Sequence, residues 1–381
     1  YTSPHLVDFR ERIRINGETI SQEYVIRFVE SHRSFFEPLH PSFFELTTAM
    51  AFRYFADRHI DVAVIEVGLG GRLDCTNIIH PDLSIITNIS FDHMQFLGNT
   101  LAKIATEKAG IIKKGVPVVI GETTEETKPV FLQKAQEVEA PIIFAEEEQR
   151  LKGATKFKTC TNRKWTEYPE KHSSAVQAEE AEAVSGWIYE NETYPELEGV
   201  LGGSYQPKNT NTLLSALPIL RKSGYKISDN DVRNGFRQVD QMTGLQGRWQ
   251  KLRNSPTIIC DTGHNVAGIS YIVEQLKQMK YERLHMVIGM VNDKDVSGVL
   301  ALLPKNAVYY FTKASVKRAL SETLLQQIGA SAGLQGKTYP DVQSAVKAAQ
   351  EKSLPEDLIF VGGSSFIVAD LLSCRDTLDL D

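Results

Sequence analysis

Apolar positions recur along this chain in two registers, short strand-like runs and longer stretches of helical period. The runs at residues 62–67, 83–89 and 116–120 have the length and β-branched content of buried strands, and residues 43–57 and 101–113 between them repeat apolar positions at helical spacing. A helical stretch at 130–139 leads into another apolar run at 141–145. This alternation predicts a parallel sheet flanked by helices. From 149 to 172 the pattern turns polar and β-like, which reads as a solvated hairpin excursion. Residues 206–221 and 229–236 predict two more helices. After a short glycine-bearing stretch at 241–247 (QMTGLQG) a fresh alternation begins. It runs through strand 257–260, helix 266–279, strand 285–289, strand 307–312, helices 322–328 and 342–351, and strand 358–361. The break predicts two α/β domains, 1–243 and 244–381, the second small and Rossmann-like.

A chain of 381 residues exceeds the usual size of one core, in keeping with that division. Its 42% hydrophobic and 24% charged residues are those of an ordinary globular protein. A formal net charge of −6 argues against general nucleic-acid or anionic-membrane binding and toward small-molecule partners. Cys75, Cys160, Cys260 and Cys374 lie far apart with no CxxC pair, which disfavours a zinc site or a secreted disulfide framework and suits a cytoplasmic protein. No apolar run reaches membrane-spanning length. Tyr1 is not a natural start residue, so an upstream piece is expected.

Candidate chemistry gathers at predicted strand ends, where open α/β sheets bind ligands. EVGLGGRLDCTN (66–77) puts Glu66 where a strand breaks into a turn with glycines at 68, 70 and 71, which admits a metal or phosphate against the backbone or is merely a tight turn. Asp92 and His93 follow the next strand, and His93 is a second metal-ligand candidate or a structural hydrogen-bonder. Glu107 and Lys108 in TEKAGI read, on their own, as a solvated charge pair. In the second half Arg248 in GRW is placed to reach a phosphate across a cleft. Asp261 and His264 in DTGHN sit between a strand and a helix; Asp261 accepts from a ribose or caps the helix. GGSS (362–365) offers amides to an anion or makes a simple turn, and GLQGKT (333–338) reads as a surface loop, because Tyr339-Pro340 follow where a phosphate loop needs a helix.

Taken together, YTSPHL, FFELTTAMAF, EVGLGGRLDCTN, SFDHMQFLG, EKAGI, GRW, DTGHN and GGSS stand in the order found in folylpolyglutamate synthases and bifunctional dihydrofolate synthases, and the chain resembles that branch of the Mur ligase superfamily across essentially its whole length. The resemblance implies a Mur-ligase-like α/β fold, a P-loop-type central-sheet ATPase domain followed by the Rossmann-like glutamate ligase domain. It implies a monomeric ATP- and Mg²⁺-dependent amide ligase that joins L-glutamate to dihydropteroate or a folate through an acyl phosphate. Ser3, Glu66 and His93 resemble the magnesium ligands, and Lys108 the lysine that this superfamily often carbamylates. Asn209, Arg248, Asp261 and His264 resemble residues that hold ATP. His264 and Ser364 lie where the incoming glutamate is placed, and Phe44, Glu45 and Asp92 near the pterin-bearing substrate. The resemblance makes Lys108 and His264 the catalytic pair and reverses the bland reading of Lys108. One departure stands out: the family's GTNGKGS-type P-loop lies upstream of the YTSP motif, at which this chain begins. A protein without that loop is expected to bind ATP poorly and to expose sheet edge. Two other readings carry less of the pattern: a Mur-type ligase of peptidoglycan precursors, and a non-catalytic folate-binding relative.

Overall fold

The computed structural model describes residues 1–159, 184–292 and 295–380. Its first half is built on three parallel strands, Ser84–Ile86, Val118–Ile120 and Ile142–Phe144, in that order across the sheet. Each of the first two is followed by a helix, Leu101–Ala109 and Lys128–Glu137, whose Ala105, Ala109, Phe131 and Ala135 are buried against Ile86, Val118 and Ile120. Helices Gln22–Phe36 and Phe43–Asp57 pack a separate core around Tyr1, Ile13, Tyr24 and Tyr54. Ser42 and Glu45 close a reciprocal capping box that starts the second of these helices.

The run at 62–67 departs from expectation. It is extended but forms no ladder strand among the described residues, and Val62 and Val64 are exposed. Two backbone bonds tie it to the first residue: the Tyr1 ammonium donates to the Val64 carbonyl (2.8 Å) and Glu66 N–H to the Tyr1 carbonyl (2.9 Å). A continuous apolar run predicts burial on both faces, and here that burial is missing.

The polar segment forms an antiparallel sheet of strands 153–159, 184–190 and 197–199. Only the first of these falls in the predicted hairpin; much of that prediction, from 160 onward, lies outside the described residues, and the second and third strands were not foreseen. This sheet packs on helices Gln206–Lys222 and Asp229–Arg237, with Tyr189, Leu197, Leu214 and Val232 at its core.

The second half follows its predicted pattern closely. Six strands stand in the order Gly336–Thr338, Val308–Phe311, Leu284–Ile288, Leu358–Gly362, Thr257–Asp261 and Gln250–Asn254; the last is antiparallel and the others parallel. Leu284–Ile288 and Leu358–Gly362 are buried at every position, as runs covered by helices on both faces must be. The stretch 333–338 is a correction: residues 336–338 are the edge strand, held by parallel pairing to Val308–Phe311. Three residues with no apolar side chain carry no strand signal, so tertiary pairing decides. Strand order reverses about Leu358–Gly362, whose neighbours are Thr257–Asp261 and Leu284–Ile288. The switch point therefore opens a crevice at the carboxyl ends of these strands, where Asp261, Gly289 and Gly363 stand.

Candidate active site

Two motifs of the first half interlock through their glycines. A Cβ on Gly71 would stand 2.8 Å from the Glu107 carbonyl, and one on Gly110 would stand 2.4 Å from the Arg72 Cα, so neither position has room for a side chain. Arg72 N–H donates to the Glu107 carbonyl (2.8 Å), and its guanidinium grips the Glu107 carboxylate (2.9 Å). Asn77 Nδ2 donates to the Gly110 carbonyl (3.1 Å). Asp74, which sequence reasoning passed over, organises the glycine turn. Its Oδ2 accepts the Gly68 and Leu69 amides (3.1 and 2.8 Å) and its Oδ1 the Thr76 amide (2.9 Å). An Asp placed to accept from amides six, five and two residues away is the only signal that marked it.

That interlock sets Lys108 at the turn. Burial pushes its ammonium below the ordinary lysine value, with Asp92 and then Asp74 partly restoring the charged form. Glu107 is thus an anchor for the loop and Lys108 a desolvated amine, which separates two residues that sequence alone reads as one solvated pair.

The metal-ligand candidates are arranged by backbone. Glu66 is exposed, and its Oε2 accepts the Ser3 amide (2.8 Å). His93 has φ of 48° and precedes the short helix Met94–Leu97, with its N–H donating to Asp92 Oδ1 (2.8 Å). Among the described residues no group of three or more His, Cys, Asp or Glu side chains closes into a metal site by itself. One carboxylate, one imidazole and one hydroxyl suit a hard cation only when phosphate oxygens and water complete its shell.

Of the residues set beside the pterin by resemblance, Phe44 lies against the glycine turn; a Cβ on Gly68 would collide with its ring at 2.2 Å. Glu45 is committed to its helix cap, its Oε2 accepting the Ser42 amide (2.7 Å). Asp92 reaches across the molecule. Its Oδ2 faces His264 Nε2 at 3.2 Å and accepts from Asn265 Nδ2 at 3.3 Å. His264 Nδ1 in turn faces the Thr262 carbonyl (3.0 Å).

On the second half Asp261 is 2% exposed and acts as an internal hub. Its Oδ1 accepts the Gly263 amide (2.7 Å), and its Oδ2 accepts the Trp249 amide (2.7 Å) and the Tyr205 hydroxyl (3.4 Å). Burial pushes its carboxyl up from the ordinary value, while the Gly263 amide and then Arg248 draw it back. The helix-capping alternative for Asp261 is overturned. Asn265 caps Val266–Lys277, accepting the Gly268 amide at 2.8 Å, because the Asn side chain stands one residue before the helix and Asp261 five. Arg248 is exposed and hydrogen-bonds Thr262. Ser364 is 2% exposed and caps Ser365–Ser373, its hydroxyl accepting the Ile367 amide (3.2 Å). Asn209 stands in the first turn of Gln206–Lys222, its Nδ2 directed to Gln206 Oε1 (3.4 Å). An apolar cavity of about 290 Å³ lies along that helix, lined by Gln206, Thr210, Leu213 and Leu217.

The geometry therefore draws Asp92, His264, Asn265 and Lys108 toward one cleft, with Arg248 on its rim. Comparison with known proteins matches two Mur ligase domains. The Mur ligase middle domain matches residues 31–179, and the Mur ligase glutamate ligase domain matches residues 247–365. The chain is 32% identical to the Escherichia coli dihydrofolate synthase/folylpolyglutamate synthase over 99% of its own length and 79% of that protein. It is 29% identical to the Bacillus subtilis protein of the same description, over 97% of this chain and 82% of that one. Among solved structures, E. coli FolC in complex with DHPP and ADP superposes with a TM-score of 0.77 at 29% identity, over 99% of this chain and 81% of that one. A bifunctional folylpolyglutamate synthase/dihydrofolate synthase with Mn, AMPPNP and L-glutamate bound gives 0.74 at 27% identity, over 99% and 82%.

Proposed function

The chain belongs to the dihydrofolate synthase/folylpolyglutamate synthase family of Mur ligases, and from that premise we propose how its cleft joins L-glutamate to a pteroate or folate carboxylate at the expense of ATP. The family is one of ATP-dependent ligases, and relatives have been solved with ADP, AMPPNP and Mn bound. In this reading residues 1–243 and 244–381 are the two working domains of a monomeric cytoplasmic enzyme. No described helix is long and apolar enough to cross a membrane, and Cys75, Cys260 and Cys374 are free.

A carboxylate is a poor acyl donor, so one of its oxygens first takes the γ-phosphoryl group and ADP leaves. The neutral amino nitrogen of glutamate then attacks the acyl carbon, phosphate leaves with the C–O bond electrons, and the nitrogen gives up a proton. Ser3, Glu66 and His93 are the residues that would hold a magnesium ion, which would supply charge neutralisation at the phosphates. Arg248 offers a planar cation to the same phosphates from the other side of the cleft. Asn209 and Asp261 face the nucleoside, Asp261 through the turn it organises. Phe44 and Glu45 border the pterin side, and Asp92 holds the join between that side and His264. His264 stands where the glutamate and acyl groups meet, and Ser364 fixes the helix start beside it.

Lys108 completes the arrangement. Its burial favours the uncharged amine, the form whose nitrogen adds to the carbon of CO₂ and releases one proton to water, giving a carbamate that would supply a further carboxylate to the phosphate site. The observation that carries this reading is the cross-cleft contact of Asp92 with His264 and Asn265, which brings Lys108's neighbourhood against the glutamate ligase domain. Trapping tests it. With ATP, Mg²⁺ and dihydropteroate but no glutamate, hydroxylamine is expected to capture the acyl phosphate as a hydroxamate; ATP turnover without hydroxamate would contradict the reading.

A further inference from the structure

Gln275 lies on helix Val266–Lys277 of the second half, is 3% exposed, and spends both ends of its amide on the backbone of the first half. Its Nε2 donates to the Gly202 carbonyl (2.9 Å), and its Oε1 accepts the Ser204 amide (2.7 Å). Both bonds run directly from side chain to backbone. The same short segment is held from its own side by Trp187, whose Nε1 donates to the Gly203 carbonyl (3.1 Å). Tyr205 continues it to Asp261, and Lys208 Nζ donates to the Tyr271 hydroxyl (2.8 Å), on the Gln275 helix. The stretch 241–247, where the sequence pattern breaks between the two halves, ends fixed: Gly247 N–H donates to Gln250 Oε1 (2.8 Å) and its carbonyl accepts the Thr262 amide (2.9 Å).

The other end of this helix makes the opposite kind of contact. Asn265, its cap, and His264 meet the Asp92 side chain at the partly exposed cleft, through long bonds of 3.2 and 3.3 Å between side chains. Ten residues separate the two contacts, roughly 15 Å along the helix. Burying a backbone amide and carbonyl on one carboxamide makes that end costly to open, whereas side-chain pairs in a wet cleft exchange with water readily.

We infer that Gln275 is the pivot on which the two halves close, a positioning residue that sets where His264 and Asn265 arrive at the cleft. A turn of roughly ten degrees about it carries His264 through roughly 2–3 Å at that lever length, enough to make or break the Asp92 contact. The inference rests on the ligase reading for its effect on turnover, but not for the motion itself.

Two substitutions test it. Gln275→Met keeps the length and helix propensity of the side chain and removes both hydrogen bonds; Gln275→Glu keeps the acceptor for Ser204 and, when protonated, regains a donor for Gly202. The readouts are kcat and KM for ATP across pH, and the radius of gyration by X-ray scattering with and without Mg²⁺ and AMPPNP. Gln275→Met is expected to lose roughly tenfold in kcat, the equivalent of one buried hydrogen bond, and to blunt the compaction that nucleotide produces in the wild type. Gln275→Glu is expected to recover toward wild type as pH falls, with no such recovery in Gln275→Met. Wild-type kcat and compaction in Gln275→Met, or a Gln275→Glu profile parallel to wild type, would overturn the pivot. Should Gln275→Met fail to fold, the pH profile of Gln275→Glu decides alone. A wild-type protein inert toward every folate would remove the ligase reading, and scattering would still decide the pivot.

Discussion

Lys108 shows how a residue's chemistry is set by what surrounds it. Exposed, it would be one more helical cation; desolvation, which Asp92 and Asp74 only partly offset, holds it nearer neutrality. Replacing it with Ala is expected to cost roughly 10²-fold or more in turnover, the scale of losing one group that stabilises transition-state charge, with an unchanged melting profile. Turnover within a few-fold of wild type would remove Lys108 from the mechanism. Far from the cleft, His285 and Asp357 make a buried imidazole–carboxylate pair, 1% and 3% exposed, with His285 Nε2 facing Asp357 Oδ2 at 3.2 Å and Nδ1 facing the Tyr310 hydroxyl at 2.9 Å. Burial holds His285 below its ordinary 6.5. Burial also opposes the Asp357 charge, yet the Leu354 amide and His285 outweigh it and hold that carboxyl below 3.8. In both cases the unfolded chain binds more protons as pH falls, so stability is lost on acidification, first below the ordinary histidine value and again in the carboxylate range. Urea midpoints measured from neutral pH downward should therefore fall, and His285→Phe should flatten the upper part of that slope. It should also cost about 1–3 kcal/mol at neutral pH by taking the imidazole donor from Asp357 and leaving it the Leu354 amide. A midpoint independent of pH in the wild type would refute the account of this pair.

At the scale of elements, glycines decide where segments meet. Gly110 touches the Arg72 backbone so closely that Gly110→Ala is expected to destabilise by about 1–3 kcal/mol, the usual cost of overpacking, and to displace Lys108 with loss of turnover. Gly235 is the reverse case. It lies inside helix Asp229–Arg237 at the lining of the apolar cavity, where an added Cβ meets nothing within 4 Å. Gly235→Ala should raise stability by about 1 kcal/mol through helix propensity alone, visible as a higher urea midpoint. The alternating pattern made the second-half strands and most helices legible, because runs such as 285–289 and 358–361 are buried on both faces. It could not reveal the edge strand Gly336–Thr338 or the strand Leu197–Gly199, whose neighbours supply the pairing that their own side chains do not announce. The exposed run at 62–67 failed in the other direction, since apolar content speaks of burial but not of which segment provides it.

For the whole molecule, the site is a property of two halves. Motif order made Glu66, His93, Lys108 and His264 visible in the sequence, but that Asp92 meets His264, and that Gln275 holds the segment beside Asn209, belongs to tertiary geometry. Asp74 and Gln275 escaped for the same reason: each is an ordinary polar residue until its backbone partners are in place. Replacing the proposed metal ligands should separate binding from fold, so Glu66→Gln and His93→Ala are expected to abolish Mg²⁺-dependent turnover while leaving circular dichroism unchanged; normal turnover in either would contradict those assignments. The most direct measurement is ATP- and Mg²⁺-dependent phosphate release with L-glutamate and either dihydropteroate or tetrahydrofolate as acceptor. Phosphate release that requires glutamate and at least one of these acceptors is the predicted result, and the productive acceptor identifies the synthase activity. ATP hydrolysis indifferent to both acceptors and to glutamate would contradict the account.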